Sequence, residues 1–179
     1  MKPRTLLLIL AGLALNTLIF AVGPYAGLTA EIGASSLLEQ RVSAPVAHTQ
    51  AALVALTPEQ RVLYYRHLVW NLGLIVGNTL VLVALIGVAA HRFRVLRSSV
   101  LIPFLLALAP GALDLIENLL TAVLLAQRTG PAAVLVSATS LVVVLKFAAL
   151  AAALLAAVVL WLAVAVRWRA APAVALLPR

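Results

Sequence analysis

Apolar residues in this chain gather into four long runs, Thr5 to Val22, Leu68 to Ala90, Val100 to Ala126 and Val134 to Val166. Each is near or above the ~20 residues that a lipid hydrocarbon core demands of a helix. The pattern predicts an all-α fold: an integral membrane antiparallel four-helix bundle, one domain over residues 1–179, with spans at about 5–22, 68–90, 100–126 and 134–166 and a helical extracytoplasmic loop at 23–67. Composition supports a lipid solvent. Hydrophobic residues make up 65% and charged residues 10%, with mean hydropathy +1.16. Soluble domains carry roughly 45–50% apolar and about 25% charged residues.

Charge placement sets the orientation. Lys2, Arg4, Arg92, Arg94, Arg97, Arg167, Arg169 and Arg179 lie at ends that would share one side, against Arg41, Arg61, Arg66 and Arg128 on the other. The positive-inside rule then gives both termini in the cytoplasm. The net charge of +8 is explained by this topology, and no nucleic-acid partner is expected. The first run also resembles a secretory signal. Its ~18 apolar residues exceed the 7–15 of a cleaved leader, and Pro24 follows a poor cleavage site, so retention as a membrane helix is expected.

The segment from Gly23 to His67 holds three of the five acids, Glu31, Glu39 and Glu59. Within it, Thr57-Pro58-Glu59-Gln60 reads as a helix start. Thr57 would be the N-cap, Pro58 the first helical residue and Gln60 the closing member of a capping box. With no breaker before Gly73, one helix should run from Pro58 through Ala90, about 50 Å at ~1.5 Å per residue. Tyr64, Tyr65 and Trp70 would then line the outer interface, and Trp161 and Trp168 the inner one. Ser36 to Ala55 is expected to add a short surface helix interrupted at Pro45. The tail beyond Ala170, with Pro172 and Pro178, is expected to be disordered or surface-bound.

Three charges stand where lipid should exclude them: Asp114 and Glu117 in the third run and Lys146 in the fourth. Each costs a few kcal/mol on insertion scales. Asp114 lies 12 residues before the outer end at Ala126, and Lys146 lies 12 after the outer start at Val134, so both sit about 18 Å below that edge. They should pair. Asp114, Glu117, Asn118 and Thr121 share one helix face. Thr139 and Lys146 share another, His67, Asn71 and Asn78 form a stripe on the second helix, and Asn16 and Thr17 lie in the first. The candidate site is therefore an intramembrane polar cluster of Asp114, Glu117, Asn118, Lys146, Thr139, Asn71 and Asn78.

Each feature has a structural reading beside the functional one. The ion cluster can fix helix register, though two acids against one lysine leave a formal charge of −1. Asn71 and Asn78 read best as interhelical hydrogen-bond glue. His67 and His91 are expected to be solvated at the membrane edges, and the run from His91 to Arg94 to set topology and touch anionic headgroups. His48 reads as a loop residue, with a metal site shared with Glu39 or Glu59 as the alternative. No cysteine is present, and no metal or cofactor is expected. Gly73 and Gly77, with Ala149, Ala153 and Ala157, are close-packing faces for the bundle, a second copy or a partner membrane protein.

Leu56-Thr57-Pro58-Glu59-Gln60-Arg61 with Tyr64-Tyr65, Asp114-Leu115-Ile116-Glu117-Asn118, and a Ser/Thr run followed by Lys146 resemble a family of small uncharacterised bacterial four-helix membrane proteins. In that family an acid-x-x-Glu-Asn element faces a Thr/Ser…Lys element. The similarity covers about residues 55 to 155, and Asn71 stands near a position where the family pattern has an acid. The resemblance implies the fold, a polar core and a place in the bacterial cytoplasmic membrane, and it implies no activity.

Three function classes follow. A non-enzymatic assembly or accessory protein fits the small-residue faces and the lack of a nucleophile–base constellation. A proton- or cation-coupled carrier would use Asp114 and Glu117 as its sites, with Lys146 as counter-charge. A lipid-directed enzyme would use one of those carboxyls as general acid or base, without the metal set or catalytic Ser/His pair that usually accompanies one.

Overall fold

The structure, a computed structural model, describes residues 3–33, 45–92 and 101–170. These form six α-helices, with no strand among the described residues: α1 (Pro3–Val22), α2 (Tyr25–Ile32), α3 (Val46–Ala55), α4 (Pro58–Arg92), α5 (Leu101–Ala126) and α6 (Ala133–Ala170). Four stretches are long and apolar enough to cross a membrane: 5–32, 58–89, 104–126 and 133–166. Large apolar side chains such as Leu7, Phe20, Val69, Leu119, Val134 and Leu155 stand exposed around the outside. Lipid would supply their missing contacts, and a helix closes its own backbone hydrogen bonds where no water can.

α4 begins as its sequence dictates. The Thr57 backbone amide donates to Gln60 Oε1 at 3.0 Å, and the Gln60 amide donates to Thr57 Oγ1 at 3.3 Å. Both halves of the capping box are formed. The same Gln60 also donates through Nε2 to the carbonyl of Glu31 in the last turn of α2, at 3.3 Å.

The segment 23–67, expected to hold a helix at Ser36–Ala55 and the start of another at Pro58, begins with a further one, α2. Gly23 and Pro24 make the turn, and Leu28 is fully buried. Pro24 is the N-cap residue of α2, at a helix end where its missing N–H breaks no intrahelical hydrogen bond. α3 holds the part of the Ser36–Ala55 helix that lies in the described residues; 34–44 lie outside them, with Glu39 and Arg41. So do 93–100, which carry Arg94 and Arg97, and the tail 171–179.

The helices approach closely where side chains are small. A Cβ on Gly12 would meet the Gly77 carbonyl oxygen at 2.7 Å and Val81 Cγ2 at 2.8 Å, so α1 and α4 cross nearly backbone to backbone. Gly73 lies against Ile19, and Gly111 of α5 against Thr79 of α4. α5 contains Pro110, which denies the Leu106 carbonyl its intrahelical donor without ending the helix.

Two buried apolar clusters bracket the interior. One joins Leu28 and Leu53 of the short helices to Tyr64, Leu68, Leu124, Leu125 and Val136. The other gathers Leu82, Ile86, Ala107, Ala153 and Ala157. Asn71 of α4, Asp114, Glu117 and Asn118 of α5 and Lys146 of α6 fall between these two layers.

Candidate functional site: a buried ion cluster

Helical spacing puts Asp114, Glu117 and Asn118 on one face of α5, and α6 brings Lys146 to it. Lys146 Nζ lies 2.5 Å from Glu117 Oε2 and 3.2 Å from Asp114 Oδ1. One ammonium thus serves two carboxylates. Their environments differ: the Glu117 side chain is 1% exposed, against 17% for Asp114 and 12% for Lys146.

α4 completes the cluster with an amide in place of a charge. Asn71 Nδ2 donates to Asp114 Oδ1 at 3.2 Å and to Asn118 Oδ1 at 3.0 Å. Asn118 Nδ2 in turn donates to the Leu68 carbonyl at 3.2 Å. The orientation of Asn71 is forced, because its own oxygen facing the carboxylate would repel it. Three helices are therefore joined through five side chains, and charge-assisted hydrogen bonds carry most of the contact.

Two members of the expected cluster sit elsewhere. Thr139 is buried, but its hydroxyl donates to the Leu135 carbonyl of its own helix at 2.8 Å. Asn78 is exposed and pairs with α1, accepting from Asn16 Nδ2 at 2.8 Å. From Asn71 to Asn78 is seven residues; the ~20° drift of a real helix over that interval, together with the arrival of α1 on that side, separates the two asparagines.

His67, expected to be solvated, is buried. Its ring lies between those of Tyr25 and Tyr64, with centroids 5.5 and 6.2 Å away. The cause is α2, which folds Tyr25 back over α4. His48 is exposed, and no group of three His, Cys, Asp or Glu among the described residues is placed to hold a metal ion.

Arg61 holds a role its sequence position did not announce. It is buried, and its guanidinium donates to the carbonyls of Leu56 (3.3 Å), Leu125 (2.6 Å) and Leu53. Those carbonyls end α3 and α5, where a cation complements both the orphan acceptors and the negative pole of each helix. The signal lay in the stripe Arg61, Tyr64, Leu68, Asn71, whose spacing of three, seven and ten residues puts all four on the inward face.

A pocket of about 190 Å³ opens between α1, α2 and α4. Aromatic residues Phe20, Tyr25 and Trp70 wall it, and His67 and Asn71 lie among its lining. Asn71 is thus shared by pocket and ion cluster.

The Gly73–Gly77 face, an expected contact for the bundle or a partner, is occupied by α1. Ala153 and Ala157 are buried against Leu82 and Ala107, whereas Ala149 is half-buried.

No family model, curated protein or solved structure matches the chain.

Proposed function

We propose that the chain is a non-enzymatic, multi-pass protein of the bacterial cytoplasmic membrane, an antiparallel four-helix bundle with both termini inside, acting as an assembly or accessory subunit. In this reading Asp114, Glu117 and Lys146 are an ionic lock that sets the register of α5 against α6. The observation that carries it is the sharing of Lys146 Nζ between both carboxylates, with Glu117 almost completely enclosed. The Asp-x-x-Glu-Asn element on which the family resemblance rests then serves packing, with Asn118 passing the connection on to α4. Contacts such as Gly12 with Val81 and Ile19 with Gly73 support antiparallel neighbours, because the numbers rise along α1 as they fall along α4. With Gly73 and Gly77 spent on α1, a partner or second copy would dock on the lipid-facing surface.

The test is a double-mutant cycle in detergent on Lys146→Met, Glu117→Gln and their combination, from pH 5 to 9. Breaking a buried ion pair costs about 3 kcal/mol or more, whereas removing both partners can be nearly neutral. Strong loss in each single variant, with a double variant that loses clearly less than their sum although Asp114 remains, supports the lock. If Glu117→Gln is neutral or stabilising, the acid is held at a cost. A proton-linked carrier, with Asp114 as its accessible carboxylate, then replaces this reading.

A further inference from the structure

We infer that the pocket between α1, α2 and α4 binds the hydroxylated aromatic ring of a membrane amphiphile, with the ring against Tyr25 and Trp70 and its hydroxyl donating to Asn71 Oδ1.

The hydrogen-bond accounting of Asn71 selects the ligand's chemistry. An asparagine amide has two hydrogens and one carbonyl oxygen. Both hydrogens are committed, one to Asp114 and one to Asn118. What Asn71 can offer the pocket is its oxygen, an acceptor. A ligand that satisfies it must bring a donor, and a ketone, an ether or a plain hydrocarbon leaves that oxygen unpaired.

Size and wall chemistry select the ring. A dry cavity of about 150 Å³ is enough to hold benzene, and this pocket offers about 190 Å³. Phe20, Tyr25 and Trp70 present aromatic surfaces, which favour offset or edge contacts with another ring. Leu74 closes the apolar side.

The opening selects a membrane source. Phe20 is 64% exposed and Trp70 38% exposed, both on the outward face of their helices. An alkyl tail attached to the ring would leave between them into lipid. That exit rests on the membrane placement proposed above; the ring site itself does not.

The experiment uses the full chain in maltoside micelles with three probes at equal mole fraction: 4-decylphenol, its methyl ether 4-decylanisole, and tailless 4-methylphenol. At about a hundredfold excess over the dissociation constant, 4-decylphenol is expected to raise the melting temperature by about 5 °C or more. The ether, which lacks the donor, should shift it far less. Leu74→Phe, which fills the pocket, should abolish the phenol's effect. Should that variant not fold, Trp70→Leu, which removes a wall at an exposed position, should reduce the effect severalfold. A weaker shift by 4-methylphenol assigns the ligand to the membrane, and an equal one overturns the amphiphile in favour of a free phenol. No shift with 4-decylphenol, an equal shift with the ether, or a shift undiminished in both variants overturns the site. None of these results bears on the Lys146 cycle, so the two proposals fail separately.

Discussion

Arg61 in the first turn of α4 donates to the Leu125 carbonyl at the end of α5, at 2.6 Å. The same side chain reaches Leu53 and Leu56 at the end of α3, so a single residue closes two helix termini. Hydrogen bonds from a charged group are worth about 1.5–3 kcal/mol each when buried. Arg61→Met should therefore destabilise the protein by about 2 kcal/mol or more. Hydrogen exchange should locate the loss, with faster exchange in α2, α3 and the last turn of α5 and unchanged protection in the middle of α6. Arg61→Lys should recover little, because a point ammonium cannot span three carbonyls.

Asp114→Asn should cost clearly less than Glu117→Gln, by about 1 kcal/mol or more. The new amide at 114 keeps an oxygen for Asn71 and Lys146, and the position retains some exposure. A glutamine at 117 also keeps an oxygen for Lys146, but its new amide hydrogens have no route to solvent in a side chain 1% exposed, and the pair it weakens is the shortest contact in the cluster. Chemical denaturation of each single variant in the same detergent measures the difference.

Asn16 and Asn78 offer a direct check on how α1 meets α4. The chain has no cysteine of its own, so Asn16→Cys with Asn78→Cys introduces an isolated pair. Oxidation should cross-link them. With a protease site inserted between residues 34 and 44, the two fragments should stay joined until reduced. Adding Gly77→Leu should abolish the bond, because the backbones can no longer approach. Fragments that separate without reductant would place the two helices apart.

Thr57→Ala should remove one bond of the capping box and leave the amide of Gln60 to water. A loss of about 1 kcal/mol is expected, as for other N-caps. Because Gln60 also holds the end of α2, Gln60→Ala should cost more than Thr57→Ala, and the thermal melts of the two variants rank them.

The legible part of this molecule is the part governed by periodicity and length. Apolar runs of 18 residues or more, with the capping box for the start of α4, give α1, α4, α5 and α6 within a few positions. Counting from the outer helix ends brings Lys146 to Asp114 and Glu117 without any tertiary information. The start of α4 was also readable, since a capping box is local chemistry. What escaped depends on how segments fold over one another. His67 is buried because α2 carries Tyr25 onto it, and α2 is only eight residues long. Asn78 left the cluster because α1 packs on its side of α4. Arg61 counted as one more external charge until the ends of α3 and α5 converged on it.

The contact between Gly12 and Gly77 also bears on biogenesis. In the membrane placement proposed above, it joins α1 to the next spanning helix, α4, and the segment between them must be made and translocated in the meantime. Until residue 77 leaves the ribosome, the narrow face of α1 stands against lipid or the insertion machinery, and Asn16 waits without Asn78. On that placement the rate of translocation sets how long α1 remains an unpartnered helix, and whatever slows passage of residues 23–57 lengthens the interval in which it can pair wrongly.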